Sequence, residues 1–252
     1  MKIIITILLS ACTWSAVGQT KIYIVGTVHN RTRNFNSDSV LIILERLKPD
    51  LILMELDSSF FDKNFNIKIK LYTNETLGIK KYVSKHPTSV RPYDIKPRDI
   101  AISTVKIEAE SLDRLNSIAW KLEPSQRQTY LDLKNSNKEL IYFVNKRPYE
   151  INQKGTDSLV ERSRILMYHG LLEVIESRKE LDDLQMGYRQ GGEFWDWRNK
   201  RMAQNVFTFL NMDIFKNKTI VLFAGFFHRY YLLNELTPKQ KMVGFVIKEY
   251  YE

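Results

Sequence analysis

Short continuous apolar runs alternate along this chain with longer stretches of helical spacing, and their order predicts an α/β fold. Residues 21–25, 51–54 and 219–224 are apolar runs of strand length, of the kind buried on both faces in a parallel sheet. Between the first two, residues 38–48 put Val40, Leu41, Leu44 and Leu47 on one helical face, with Ser37 as the expected N-cap and Pro49-Asp50 as the stop. Strand, helix and strand at this length make a βαβ unit with parallel strands. A second helix is expected over 75–85, ended by His86-Pro87, and a third strand over 89–93. Residues 96–209 then read as helical, with 157–184 long enough for a single helix. Beyond the strand at 219–224 come a helix over 228–236, a break at Thr237-Pro238 and a last strand over 243–250. The expected architecture is a central, mainly parallel sheet flanked by helices. It forms one domain over 19–252, with a large helical insertion at about 96–210, between the third and fourth strands.

Residues 1–18 stand apart from this pattern. They carry one charge, Lys2, then the apolar run 3–9 and small residues ending in Ala16-Val17-Gly18. That is the order of a secretory signal, with a cut expected between Gly18 and Gln19. The alternative is a lipobox at Leu9-Ser10-Ala11-Cys12, with Cys12 lipidated as the anchor of an exported lipoprotein. The apolar run falls short of the ~20 residues that cross a bilayer, so the expected location is periplasmic or secreted. Cys12 is the only cysteine, and its removal would exclude disulfides and thiolate ligands. A divalent metal would then be held by His, Asp or Glu, a donor set suited to zinc, manganese or cobalt. The net charge of +9 favours anionic membrane surfaces, and the basic residues, densest over 60–100, read first as a solvated lysine-rich exterior and second as a lipid contact. No nucleic-acid-binding motif occurs, so nucleic acid is not an expected partner.

Three strands end in residues capable of chemistry. The first runs into Gly26-Thr27-Val28-His29, the second into Glu55, and the strand at 219–224 into Gly225-Phe226-Phe227-His228. In parallel sheets ligands bind beyond the carboxyl ends of the strands, so these groups can converge despite their separation in sequence. Neutral imidazoles serve as metal ligands or general bases, and His228 at a helix start would meet N–H groups that oppose its protonation. Glu55 is either a buried carboxylate in need of a partner or a solvated one past the strand end. Asp94 falls near the same sheet edge. Arg198 interrupts the apolar stripe of Phe194, Met202, Val206 and Phe209. It either pairs with Glu55 or Asp94, holds a substrate carboxylate or oxyanion, or snorkels to water. Phe226 and Phe227 narrow a pocket, stack on a flat ligand or pack into core. His86 and His169 lack such support and read as structural. No Gly-x-Ser-x-Gly elbow, phosphate loop or His-Glu-x-x-His occurs, which removes the usual serine hydrolases, P-loop NTPases and zincins.

Taken in order, Gly26-x-x-His29, Glu55, Arg198-Asn199-x-x-Met202 and Gly225-x-x-His228 resemble the TraB/GumN (Tiki-like) group, which is related to the erythromycin esterases and to ChaN-like haem-binding proteins. The resemblance covers nearly all of the chain beyond residue 18. It implies an α/β fold with a helical insertion, with His29, Glu55 and His228 as metal ligands or acid/base groups and Arg198 as the electrostatic stabiliser. Asp94, Asn199, Phe226 and Phe227 are expected at the substrate. Tiki-type relatives imply a metal-dependent protease, and the esterase branch implies a hydrolase without a firm metal requirement. Phe226 and Phe227 stand where the family usually has small residues, which counts against a peptide substrate. The resulting expectation is an exported, metal-dependent hydrolase acting on a peptide, an ester or another small molecule. The alternative is a non-enzymatic binder of haem or a small ligand, and a third reading is a surface-interaction protein with a decayed site.

Overall fold

The computed structural model describes residues 19–68, 72–96 and 99–252, of which 99–105 are described through the backbone alone. Residues 1–18, read above as a signal and including Cys12, therefore lie outside the described residues. Five strands, β1 (Thr20–Thr27), β2 (Leu51–Met54), β3 (Ser89–Pro92), β4 (Thr219–Gly225) and β5 (Phe245–Lys248), form one sheet in which every pairing is parallel. With helices flanking it, the fold is α/β, as the alternation of strand and helix patterns predicts. The strand order is β3-β2-β4-β1-β5. β4 thus inserts between β1 and β2, so the first βαβ unit joins strands that are parallel but not neighbours. Thr27 is in register with Gly225, and Met54 with Phe223. The carboxyl ends of β1, β4 and β2 consequently lie side by side.

The helix α1 (Ser37–Leu47) is capped by Asn36 and not by Ser37. The Asn36 side chain accepts from the Asp38 and Ser39 N–H groups while Ser39 Oγ accepts from Asn36 N–H, a reciprocal capping box. The helix α2 (Asn74–Val83) precedes β3. Between β3 and β4 the described residues form helices and helical turns: α3 (Asp99–Ile118), α4 (Pro124–Phe143), α5 (Pro148–Ile151), α6 (Lys154–Ile165), α7 (Leu171–Glu176) and α8 (Asp182–Leu210). The single helix expected over 157–184 is broken. A π-helical turn, Leu166–Gly170, joins α6 to α7, and α7 ends where residues 176–180 are all polar, leaving no apolar stripe to continue it. The chain closes with α9 (Phe226–Leu236), α10 (Gln240–Val243) and β5, which occupies only the middle of the expected 243–250. α9 starts two residues earlier than expected, which places His228 in its first turn. No helix among the described residues is long and apolar enough to cross a membrane.

Alternation along the strands builds two cores on opposite faces of the sheet. Val25, Ile52, Val221 and Phe223 pack with Val40, Leu44 and Ile79 of α1 and α2. Ile24, Leu53, Leu222 and Ala224 pack with Met202, Val206 and Leu210 of α8 and Leu232 of α9. The insertion has its own core around Leu133, Leu171, Ile175 and Tyr188. Each such side chain contributes roughly 1.5–3 kcal/mol by leaving water, so α8 is anchored both to the sheet and, at its start, to the insertion. This fixes its middle turns, where Trp195 and Arg198 lie, over the strand ends.

Candidate active site

β5 pairs with β1 only as far as Tyr23, which leaves the far end of β1 without a strand on that edge. Asn152 takes its place: Oδ1 accepts from Gly26 N–H at 2.6 Å and Nδ2 donates to Gly26 O at 2.9 Å. A side chain at Gly26 would meet Arg229 Cδ at 3.0 Å, so this glycine serves close packing inside a strand and not a turn. The loop beyond is held by Asn74, whose N–H donates to His29 O at 2.9 Å and whose Nδ2 donates to Val28 O and Asn30 O at 2.7 and 2.9 Å.

His29 is thereby fixed against Glu75, with Nδ1 2.8 Å from Oε1. Glu75 is the second residue of α2, where the helix dipole favours an acid. It also accepts from the Thr27 hydroxyl. Burial is the strongest influence on its carboxyl and opposes ionisation, but His29 and Thr27 outweigh it and hold the pKa below the usual value. An ionised Glu75 can only accept, so His29 Nδ1 carries the hydrogen and, in the neutral ring, Nε2 carries the lone pair. Nε2 lies over Gly225, where a Cβ would come within 3.0 Å of it and 3.3 Å of Glu55 Oε2. Any side chain at Gly225 would crowd the site. The His29 side chain is 50% exposed while that of Glu75 is 8% exposed, so a buried carboxylate backs an accessible base. Sequence reasoning missed Glu75; the available signal was an acid in the first turn of a helix capped by Thr73, which is also the ordinary pattern of a helix start.

Arg198 resolves the readings of Glu55 and Asp94. Its Nη2 donates to Glu55 Oε1 and Asp94 Oδ2, each at 2.8 Å, and its Nε to Asp94 Oδ1 at 3.0 Å. Glu55 Oε2 accepts the Gly225 N–H at 2.5 Å. Glu55 is therefore the buried, paired carboxylate of the two alternatives. Burial alone would raise its pKa, yet the neighbouring His228, His29 and Arg198 and the Gly225 amide bring it down to about 2. Burial works against the Arg198 charge as well, but Asp94 and Glu55 outweigh it and raise its pKa.

Nη1 of Arg198 lies 3.1 Å from His228 Nε2. On the other side of the ring, His228 Nδ1 is 2.6 Å from Asn199 Oδ1, and Asn199 Nδ2 donates to Trp195 O at 2.9 Å. Asn199 thus presents its oxygen, His228 Nδ1 carries the hydrogen, and Nε2 accepts from Arg198. Trp195 stacks on the imidazole with ring centroids 4.5 Å apart. Burial, reinforced by Arg198 and opposed by Glu55, lowers the His228 pKa to about 4. His228 is a neutral ring whose two nitrogens are both engaged.

The structure brings His29, Glu55, Asp94, Arg198, Asn199 and His228 together, in two tiers. His29, Arg198 and His228 line both of two adjoining cavities, of about 330 and 410 Å³. Glu55 and Glu75 line the smaller; Phe226, Phe227, Tyr168, Phe194 and Trp195 line the larger. Asp94 and Asn199, expected at the substrate, line neither and instead brace Arg198 and His228 from behind. His86 bonds Glu45 and stacks on Tyr82, away from the site. Within the basic stretch, Lys81 pairs with Asp38 and Arg91 lies over the Phe65 ring, while Lys63, Lys68, Lys80 and Lys85 are exposed.

A metal held by His29, Glu55 and His228 does not fit this donor set. Both Glu55 oxygens accept N–H groups and both His228 nitrogens are engaged; Arg198 bonds both groups, which lie 3.5 Å apart, and its charge would repel an added cation there. Among the described residues no group of three or more His, Cys, Asp or Glu is arranged to hold a metal ion. Compared with protein-family models, characterised proteins and solved structures, the chain matches none.

The buried His228 predicts a pH dependence of stability. The unfolded ring binds a proton near pH 6.5 and the folded one only near pH 4. Between these values the unfolded state holds more protons, so stability falls as pH drops, by about 3 kcal/mol in all. Asp157, raised to about 6 by burial against the opposing pull of Arg229, contributes with the opposite sign in an overlapping window. The readout is therefore the difference between wild type and His228→Gln in urea unfolding at pH 7 and pH 4. The variant should show the smaller acid-induced loss; parallel profiles would mean that His228 is not buried as a neutral ring.

Proposed function

We propose that the protein is an exported hydrolase that activates water through His29 as general base, with a carboxylic ester as the favoured substrate bond. The observation that carries this reading is the His29–Glu75 pair, an accessible imidazole oriented by a buried, ionised carboxylate at the junction of two cavities. Water beside His29 Nε2 would lose a proton to the ring as its oxygen attacks the substrate carbonyl carbon, and Glu75 would offset the imidazolium charge. The oxyanion would lie against Arg198 and the first-turn amides of α9, which have no acceptor within their own helix. As the C–O bond breaks, the leaving oxygen would take the proton back from His29. The TraB/GumN resemblance implies either histidine as an acid/base group, and the engaged nitrogens of His228 favour His29 as the base. The exposed lysines at 63, 68, 80 and 85 would favour substrates presented on an anionic membrane surface.

The test is hydrolysis of 4-nitrophenyl esters and of fluorogenic peptides by the purified, chelator-treated protein, repeated with zinc, manganese or cobalt. Ester cleavage that survives chelation and is lost in His29→Ala is the expected result. Cleavage that appears only with added metal would replace this mechanism with a metal-assisted one, and no cleavage by the folded protein would remove the hydrolase reading. The aromatic cavity favours the second reading, a non-enzymatic binder of haem or a similar flat ligand. A Soret shift on haem titration that is abolished in Phe227→Ala would support it.

A further inference from the structure

The larger cavity holds a cation that the hydrolytic machinery does not use. Arg164 of α6 lines it together with His29, Arg198 and His228. Three aromatic rings surround its guanidinium, those of Phe227, Trp195 and Tyr168, with centroids 4.7, 5.7 and 5.9 Å from Cζ. Its Nε is buried without a hydrogen-bond partner, and Arg164 forms no ion pair among the described residues. Glu108 lines the same cavity and accepts from the Tyr168 hydroxyl at 2.7 Å; burial raises its carboxyl pKa and the Arg164 charge pulls the other way, but the two form no ion pair. Glu161 and Asp196 line a neighbouring cavity that Arg164 also lines, without forming an ion pair with it. Aromatic faces attract a cation but accept few of its five directed N–H donors, and a half-buried guanidinium without an anion is uncommon. Every other arginine at the centre of this molecule has carboxylates: Arg198 has Glu55 and Asp94, and Arg229 has Asp157 and Glu249.

We infer that Arg164 is the anion-recognising residue of the aromatic cavity, which selects substrates whose apolar or aromatic acyl part carries a carboxylate. The indole of Trp195 links the two ends of such a ligand, since one ring stacks on His228 and also lies beneath Arg164. An acyl group lying along Phe227 and Trp195 would place its carboxylate at Arg164 and its ester carbonyl at His29 and Arg198. This assignment of substrate class rests on the hydrolase reading; the anion site itself does not.

The test separates the two. Calorimetry at low salt compares 4-phenylbutyrate with 4-phenylbutyramide, which differ in charge and little in shape. The expected result is tighter binding of the carboxylate by about ten- to hundredfold, the range of a charge-assisted hydrogen bond. Arg164→Gln should bring the carboxylate down to the affinity of the amide, and Arg164→Lys should recover part of the difference. Equal binding of carboxylate and amide by the wild type overturns the anion site, whether or not the variants fold. A carboxylate preference that persists in a folded Arg164→Gln variant also overturns it. In parallel, the 4-nitrophenyl monoester of glutaric acid should be cleaved with a higher kcat/KM than 4-nitrophenyl butyrate. No cleavage of either, with the carboxylate preference intact, removes the hydrolase and leaves the anion site standing.

Discussion

Replacing Arg198 with methionine is expected to destabilise the protein by about 3–5 kcal/mol, the cost of removing one partner from a buried ion cluster. The Glu55 and Asp94 side chains are 8% and 0% exposed, so neither could recover its lost charge partner from water. Domains of ordinary stability have about 5–15 kcal/mol in all, so the variant would stand near the threshold of folding. Urea unfolding at pH 7 measures the loss. Arg198→Lys should recover only part of it, because an ammonium cannot reproduce the forked contact of Nε and Nη2 with both Asp94 oxygens. The double variant Arg198→Met with Glu55→Gln should be more stable than Arg198→Met alone, since it removes one of the two buried carboxylates that lose the Arg198 charge. A loss below about 1 kcal/mol for Arg198→Met, the size of an exposed pair, would mean that the cluster is open to solvent and that Glu55 is not held as described.

The residues that converge on this site were legible one at a time, and their roles only in part. An arginine within an apolar helical stripe has few outlets; pairing with Glu55 or Asp94 was among those foreseen, and the structure shows it with both at once. The two Gly-x-x-His segments were visible as repeats, but the repeat hides a division of labour. His29 sits on a loop, half exposed, while His228 sits in the first turn of a helix beneath Trp195. Local sequence carries no information on which of two similar histidines is covered, because the cover comes from α8, about thirty residues upstream and in another layer. Glu75 was hidden for a related reason. Its spacing from His29 follows no secondary-structure period, and the contact exists only because Asn74 fastens the β1 loop onto the start of α2. The strand order was equally beyond reach: apolar runs of similar length do not say which is central, yet the insertion of β4 between β1 and β2 is what sets Gly225 between His29 and Glu55.

His29→Ala is expected to lower kcat/KM for ester hydrolysis by about 100- to 10,000-fold, the range spanned by a general base, and also to lower the unfolding midpoint, because it takes away the imidazole that offsets the burial of Glu75. The two parts of this expectation follow from one geometry. The ring is half exposed, so truncation removes little packing, but its Nδ1 partners the buried Glu75, and its Nε2 faces the junction of the cavities where a substrate carbonyl would stand. Imidazole added to the variant should restore part of the rate with a saturable dependence, because the vacated space adjoins the cavity and Glu75 remains to orient the guest ring. Glu75 acts through His29 and is a positioning residue, so Glu75→Gln should lower kcat with little change in KM: the amide keeps a hydrogen-bonding group but loses the charge that balances the imidazolium. A Glu75→Gln variant that instead raises KM with kcat unchanged would assign Glu75 to substrate binding. Full activity in a folded His29→Ala protein would remove the base from the mechanism altogether. His228, with both nitrogens engaged, could take over that role only by giving up its contact with Arg198.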